Sequence, residues 1–203
     1  MTIKEKKGFK LGVTGGIGSG KTSVCRVFTV LRIPVFSADR EASQIMENES
    51  GIQDKLNSIA GRDLYTNGRM DRQTLASIIF NDKTVLEKVN ALVHPFVFDN
   101  FRKWSANQTS PYVIMEAAIL FESGASEYVN KVATVVAPAN QRVERVILRN
   151  KLTKEQVIER MRNQMDDEAR IQLSDYIIYN SENDMIIPAI LKIHEEILTF
   201  INL

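Results

Sequence analysis

One short segment has the residue types and the spacing of a phosphate-binding loop. It begins with a glycine, continues through four residues and ends in Gly-Lys-Thr, so its members are Gly15, Gly16, Ile17, Gly18, Ser19, Gly20, Lys21 and Thr22. Glycines let the backbone turn until successive N–H groups converge on phosphate oxygens, and a following helix adds its positive end. The Lys21 ammonium can then reach the β- and γ-phosphates, and the Thr22 hydroxyl can bind Mg²⁺. This phosphate loop predicts nucleotide binding.

Two carboxylates stand at the ends of predicted strands. Asp39 follows the strand predicted at Pro34–Ser37, and Glu116 ends the strand predicted at Tyr112–Glu116. In an open parallel sheet, the carboxyl ends of the strands share one edge with a phosphate loop. Asp39 is therefore a candidate to orient a substrate hydroxyl or accept its proton, with a helix cap as the alternative. Glu116 is a candidate to hold Mg²⁺ through water or to contact the acceptor, with a strand-end ion pair as the alternative.

Basic residues are concentrated in the segment 142–170. They include Arg142, Arg145 and Arg149 at helical spacing on one face, followed by Arg160 and Arg162. Acidic residues lie between them, so we expect any single arginine there to be a solvated ion-pair partner. Arg149 and Arg160 bracket a predicted lid and are the candidates for phosphate contacts, because a guanidinium group binds phosphate oxygens bidentately.

Short apolar runs alternate with segments of helical period. Strands are predicted at Lys10–Thr14, Pro34–Ser37, Tyr112–Glu116, Val132–Ala137 and Tyr176–Tyr179, and helices at Lys21–Leu31, Asp71–Phe80, Asp82–Val93, Thr153–Met165 and Ile187–Phe200. Strands that are apolar at successive positions are typical of a parallel sheet buried on both faces. The pattern predicts an α/β fold of the P-loop NTPase type, with a parallel five-stranded sheet flanked by helices.

Three regions follow from this pattern. A nucleotide-binding core is expected to comprise residues 1–40, 105–141 and 171–203. The stretch 41–104 has no good strand and predicts a helical insertion, a suitable place for an acceptor substrate. Residues 142–170 predict a helical lid. Inside the insertion, we expect one helix to stop at His94-Pro95, because the residue before a proline disfavours helical conformation.

Composition excludes several classes of protein. The chain has 203 residues, with 26 Lys plus Arg against 25 Asp plus Glu and a formal net charge of +1. Near-neutral charge gives little reason to expect nucleic-acid binding. No window approaches the roughly 18 consecutive apolar residues of a membrane span, and the basic N-terminus lacks the apolar run of a secretory signal. A lone cysteine, Cys25, cannot form an intrachain disulfide. We expect a soluble cytoplasmic protein without a nucleic-acid or membrane partner, and a monomer, although the sequence does not exclude an oligomer.

Three classes of nucleotide-binding protein compete. A GTPase needs an Asn-Lys-x-Asp segment to bind guanine, but Asn150-Lys151-Leu152 is followed by Thr153. A motor ATPase needs a strand that ends in paired acids, whereas the strand ending at Glu116 offers one carboxylate. A small-molecule kinase needs an acceptor pocket, a carboxylate near the attacking hydroxyl and cations for the phosphoryl group, and each has a candidate here.

The sequence resembles the dephospho-CoA kinase family over essentially its whole length. The segments that carry this resemblance are Gly12–Lys21, Ile33–Asp39, Val93–Pro95, Ile119–Gly124, Arg149–Gln164 and Asp175–Ser181. The resemblance implies transfer of the γ-phosphoryl group of Mg-ATP to the ribose 3′-hydroxyl of dephospho-CoA. It also implies that Asp39 is the proposed base, that Arg149 and Arg160 are lid arginines, that His94 lies in the acceptor domain, and that Asn180 borders the adenine.

This chain departs from the family pattern at three positions. Ser37 replaces the first Asp of Asp-Ala-Asp, Glu116 stands where Asp-x-Pro is common, and Tyr179 replaces an Asp before Asn-Ser. The first two departures bear on the metal and acceptor contacts, because Ser37 has no charge and Glu is one methylene longer than Asp. Two alternatives stay open: a nucleoside-monophosphate kinase, and a nucleotide-binding regulator without turnover.

Overall fold

The computed structural model describes residues 8–150 and 152–202, so the basic residues 1–7, Lys151 and Leu203 lie outside the described part. Contacts divide the chain into two units. The sheet unit contains the residues up to Ser37 and those from Trp104 onward, and the helical unit is Ala38–Lys103. The segment 142–170 belongs to the sheet unit in this division.

Strands and helices alternate along the chain. The strands are β1 (Phe9–Thr14), β2 (Val35–Ser37), β3 (Tyr65–Thr66), β4 (Arg69–Met70), β5 (Tyr112–Glu116), β6 (Lys131–Val136) and β7 (Tyr176–Tyr179). The helices are α1 (Lys21–Val30), α2 (Ala38–Asn48), α3 (Ser50–Ala60), α4 (Arg72–Asn81), α5 (Lys83–Ala106), α6 (Ala139–Asn150), α7 (Lys154–Arg162), α8 (Asp167–Gln172) and α9 (Ile186–Ile201), with a 3₁₀ turn at Ala125–Tyr128.

The sheet unit is built on a five-stranded sheet in the order β2-β5-β1-β6-β7. All neighbouring pairs are parallel, which confirms the predicted fold class. The strand β1 is central, and Leu11 and Val13 within it are fully buried. The inner faces of α1 and α9 join the same core, which Phe28 and Ile190 enter with no exposed surface. Burial of each such side chain contributes roughly 1.5–3 kcal/mol, so the strand that leads into the phosphate loop is firmly held.

Local capping signals explain several helix starts. Asp71 accepts a hydrogen bond from the Thr74 N–H at the start of α4, as predicted. Thr153 caps α7 and forms a reciprocal capping box with Gln156. The predicted end of that helix at Met165 is wrong, because the chain turns at Asn163 to begin α8.

The helical unit corrects two expectations. The stretch expected to lack strands contains β3 and β4, which pair antiparallel around a turn in which Asn67 and Gly68 have positive φ. The helix expected to stop at His94-Pro95 continues as α5 through Ala106. A proline inside a helix costs roughly 3 kcal/mol, but buried residues on both sides of it offset this cost. These residues are Val89, Val93, Val97 and Phe101, spaced four apart on one face. No helix in the described part of the chain is long and apolar enough to span a bilayer.

Candidate active site

The phosphate loop joins the carboxyl end of β1 to the start of α1. Gly20 caps the helix with a φ of +98°, a conformation that disfavours residues with a Cβ. A Cβ at this position would also overlap the side-chain amide of Asn180. The Lys21 ammonium donates to the carbonyl oxygen of Gly15 at 2.7 Å, so it bends back over the loop. The loop therefore has the backbone shape and the cation that phosphate binding requires.

Two side chains from other segments hold the loop's carbonyl groups. The Asn180 Nδ2 donates to the Ser19 carbonyl at 2.7 Å. The Arg145 guanidinium donates to the carbonyls of Asn180 at 3.0 Å and Gly18 at 3.5 Å. The structure thus brings Asn180 to the phosphate loop, whereas its predicted place beside an adenine stays a prediction.

Arg142 is buried against the loop. Its Nε donates to the Ile17 carbonyl at 2.9 Å, and a Cβ at Gly16 would overlap its guanidinium group. Its Nη1 pairs with Asp167 at 2.5 Å. Burial lowers the pKa of Arg142, and Asp167 opposes this shift. The expectation that an arginine here is a solvated ion-pair partner is wrong for Arg142.

Glu116 and Ser37 meet at the edge of the sheet that carries the phosphate loop. They are register partners on adjacent strands, and Glu116 is also the partner of Val13 in β1. The Ser37 hydroxyl donates to Glu116 Oε2 at 2.8 Å. Two of the three positions at which the chain departs from the family pattern, Ser37 and Glu116, therefore contact each other. Ser37 orients one oxygen of Glu116. Because Glu116 is partly exposed, its carboxylate also remains accessible to solvent.

Two further predicted residues belong to the helical unit. Asp39 is exposed in the first turn of α2, where its negative charge stabilises the positive end of the helix dipole. His94 lies in α5 with its ring 5.7 Å from that of Phe98. Burial lowers the pKa of His94, which favours the neutral imidazole at pH 7. Their roles toward a substrate stay predictions.

Arg149 and Arg160 are both exposed, at the end of α6 and within α7. The Arg149 Nε donates to Asn150 at 2.7 Å. The arginines that reach the loop are instead Arg142 and Arg145. Contact of Arg149 and Arg160 with phosphate stays a prediction that depends on the movement of the segment 142–170.

The residues around the loop suit a magnesium nucleotide. Thr22 is exposed in the first turn of α1, where its hydroxyl is accessible to a metal ion. The buried hydroxyls of Thr14 and Ser19 have no hydrogen-bond partner within residues 8–150 and 152–202. The same residues contain no group of three or more His, Cys, Asp or Glu side chains that could hold a metal. A single hydroxyl ligand such as Thr22 is compatible with Mg²⁺, which takes few protein ligands and completes its shell with phosphate and water.

Cys25 lies in α1 just after the loop. Burial, together with Glu116 and against the opposing effect of Lys21, raises the pKa of its thiol to about 12. The thiol is therefore protonated at neutral pH, which disfavours a role for Cys25 as a nucleophile.

Three side chains that contact the loop, those of Arg142, Arg145 and Gln164, were not predicted from the sequence to do so. The Gln164 Oε1 accepts from the Ile17 N–H at 2.8 Å. Helical spacing placed Arg142 on the face opposite Val143 and Val146, so nothing in the sequence indicated that Arg142 is buried. No signal in the sequence singles out Gln164.

The chain is similar to known kinases over most of its length. A model of the family described as dephospho-CoA kinase matches residues 9–185. The dephospho-CoA kinase of Bacteroides fragilis (strain YCH46) is 35% identical over 185 residues, 91% of this chain and 90% of that protein. Among solved structures, a Thermus thermophilus protein has a TM-score of 0.82 at 29% identity, covering 96% of this chain and 98% of that one. The dephospho-CoA kinase from Campylobacter jejuni has a TM-score of 0.68 at 25% identity, covering 94% and 98%. Since the family model spans both the phosphate loop and the segment 142–170 that supports it, the chain belongs to the dephospho-CoA kinase family.

Proposed function

We propose that this protein transfers the γ-phosphoryl group of Mg-ATP to the ribose 3′-hydroxyl of dephospho-CoA and so makes coenzyme A, the last step of CoA synthesis. The 3′-oxygen forms a bond to the γ-phosphorus, the bond from that phosphorus to the bridging oxygen breaks, and ADP leaves. The hydroxyl proton goes to a carboxylate. The observation that carries the proposal is the family match over residues 9–185 together with a complete phosphate loop at the carboxyl edge of the sheet.

The nucleotide side of the reaction belongs to the phosphate loop. Backbone N–H groups from Gly15 to Thr22 and the start of α1 would hold the phosphates. Lys21, which contacts the Gly15 carbonyl in the structure, would exchange this contact for β- and γ-phosphate oxygens. Thr22 would hold Mg²⁺, which neutralises phosphate charge when bound. Asn180 would line the adenine side.

The acceptor side is assigned to Asp39, His94 and Glu116. Asp39 stands two residues beyond the end of β2 and would orient the 3′-hydroxyl and accept its proton. His94, in the helical unit, would contact dephospho-CoA as a neutral imidazole. Glu116, oriented by Ser37, would hold a metal-bound water or contact the acceptor.

Arg149 and Arg160 are assigned to a lid formed by the segment 142–170. Movement of the exposed part of this segment, which carries both residues, would bring their guanidinium groups to the phosphates while Arg142 stays against the loop. There they would stabilise charge in the transition state. The helical unit would bind dephospho-CoA. We expect the enzyme to be cytoplasmic and monomeric, with an oligomer as the alternative.

The test is a panel of acceptors assayed in parallel. ADP release is measured under Mg-ATP with dephospho-CoA, AMP, CMP and buffer alone. The proposal requires ADP release that depends on dephospho-CoA and exceeds the release with either nucleotide by at least about a hundredfold, because a site that hydrogen-bonds its acceptor rejects analogues by large factors. Release with AMP or CMP alone would identify a nucleoside-monophosphate kinase. No release with any acceptor, despite measured ATP binding, would indicate a regulator.

A further inference from the structure

Ile17 connects the phosphate loop to the segment 142–164 by three separate contacts. Its N–H donates to Gln164 Oε1 at 2.8 Å, and its carbonyl accepts from Arg142 Nε at 2.9 Å. Its side chain packs against the apolar cluster of α6 and α7, which contains Val143, Val146 and Val157. Both backbone groups of this residue and its side chain are therefore held from outside the loop.

Arg142 is itself a rigid support. Its side chain is only 6% exposed and pairs with Asp167 at 2.5 Å. Asp167 also accepts from Arg170 Nη1 at 2.7 Å, and Arg170 is completely buried. Separation of a buried guanidinium group from its carboxylate partner costs several kcal/mol. The carbonyl of Ile17 is therefore anchored to a group that does not move freely.

These contacts orient the two peptide groups that flank Ile17. In a planar trans peptide, the N–H and the C=O point in opposite directions. The Ile17 N–H is directed to Gln164, so the Gly16 carbonyl faces the other way and accepts from the Ser19 N–H at 3.1 Å. The Ile17 carbonyl is directed to Arg142, so the Gly18 N–H points away from Arg142. Within residues 8–150 and 152–202 this N–H has no acceptor.

We propose that Arg142 and Gln164 are positioning residues for the nucleotide: by holding the peptides on either side of Ile17, they keep the Gly18 N–H directed toward a phosphate. They act through the loop and do not contact the substrate. The nucleotide side of the proposed kinase reaction then depends on the segment 142–164 even before any lid arginine moves. This inference rests on the proposed function where KM and kcat are measured, but not where the binding of ATP and ADP is measured.

The test compares Arg142→Gln and Gln164→Met, of which the second keeps the side-chain length but removes the acceptor. Their matched controls are Glu144→Gln on α6 and Asn163→Ala beside Gln164. Binding of Mg-ATP and Mg-ADP to the full chain is measured by calorimetry, and KM and kcat are measured for both substrates. A double-mutant cycle combines the two changes.

We expect each variant to weaken ATP binding and raise the KM for ATP about tenfold. A change of this size corresponds to the loss of one directed hydrogen bond to phosphate. The KM for dephospho-CoA should stay within about twofold, and the double variant should lose less than the product of the single losses, because both residues support one residue. ATP affinity equal to that of the controls, in folded variants with lower melting temperatures, would overturn the inference and leave both residues structural. An unmodified chain that binds ATP but does not phosphorylate dephospho-CoA would refute the proposed function while the binding comparison still decides the inference.

Discussion

The substitution Gly20→Ala tests the backbone geometry of the phosphate loop. Gly20 has a φ of +98°, and an added Cβ would overlap the Asn180 amide. The left-handed conformation costs a residue with a Cβ roughly 1–2 kcal/mol. Displacement of Asn180 also breaks its hydrogen bond to the Ser19 carbonyl, which is worth roughly 0.5–1.5 kcal/mol. We therefore expect Gly20→Ala to lower the free energy of unfolding of the sheet unit by roughly 1.5–3.5 kcal/mol.

The matched control is Gly124→Ala. Gly124 also has a positive φ, of +76°, but nothing lies within 4 Å of the position of its Cβ. Gly124→Ala therefore measures the cost of the left-handed backbone conformation without an overlap of the added Cβ with a neighbouring side chain. The fluorescence of Trp104, the single tryptophan, reports on the sheet unit, where its ring lies 5.4 Å from that of Phe36.

In a chain of this size, 1 kcal/mol shifts the melting temperature by about 2–4 °C. Gly20→Ala should lower the melting temperature by roughly 3–14 °C, more than Gly124→Ala does, and should also weaken Mg-ATP binding. If Gly20→Ala destabilised the protein no more than Gly124→Ala and kept its ATP affinity, the reasoning about Asn180 and the loop would be refuted.

Three other residues of the site are tested, namely Lys21, Asp39 and Cys25. Lys21→Ala should remove nearly all turnover with little change in melting temperature, because an uncompensated phosphate charge in a closed site costs several kcal/mol; steady-state turnover above about a tenth of the parent rate would contradict this. Asp39→Asn should spare ATP binding, measured by calorimetry, while it lowers kcat by about 10²–10⁴-fold, and joint loss of binding would indicate a structural role. Cys25 should resist iodoacetamide at pH 8.5 in the folded protein and react after denaturation, since burial raises its thiol pKa from 9.0 to about 12. The pKa of the thiol is higher in the folded protein than in the unfolded chain. The stability that the neutral thiol contributes is therefore complete below pH 9.0 and declines as the pH rises toward about 12. Cys25→Ala should accordingly reduce the loss of stability over that pH range.

Features of the fold that depend on nearby residues could be predicted from the sequence. The phosphate loop, the alternation that gives a parallel sheet, and the caps at Asp71 and Thr153 each depend on a few adjacent positions. The end of α5 could not be predicted in this way. Pro95 is a local signal against helix, and it is outweighed by the burial of Val97 and Phe101 beyond it, which depends on tertiary packing.

Contacts between distant segments were the part that sequence reasoning could not supply. Arg142 and Ile17 are 125 positions apart, and Gln164 and Ile17 are 147 apart. Helical spacing placed the arginines of α6 on one face but could not show that Arg142 is buried against the loop while Arg149 is exposed. The contact of Ser37 with Glu116 likewise depends on the register between β2 and β5, which cannot be predicted from the sequence of either strand alone.

Identification of the reaction product tests the central claim most directly. The unmodified chain is incubated with Mg-ATP and dephospho-CoA, and the product is compared with authentic coenzyme A by chromatography, intact mass and fragmentation. We predict one added phosphate, carried on the ribose 3′-oxygen, with one ADP formed for each product molecule. A phosphate at another position, or ADP formed without a phosphorylated acceptor, would contradict the account.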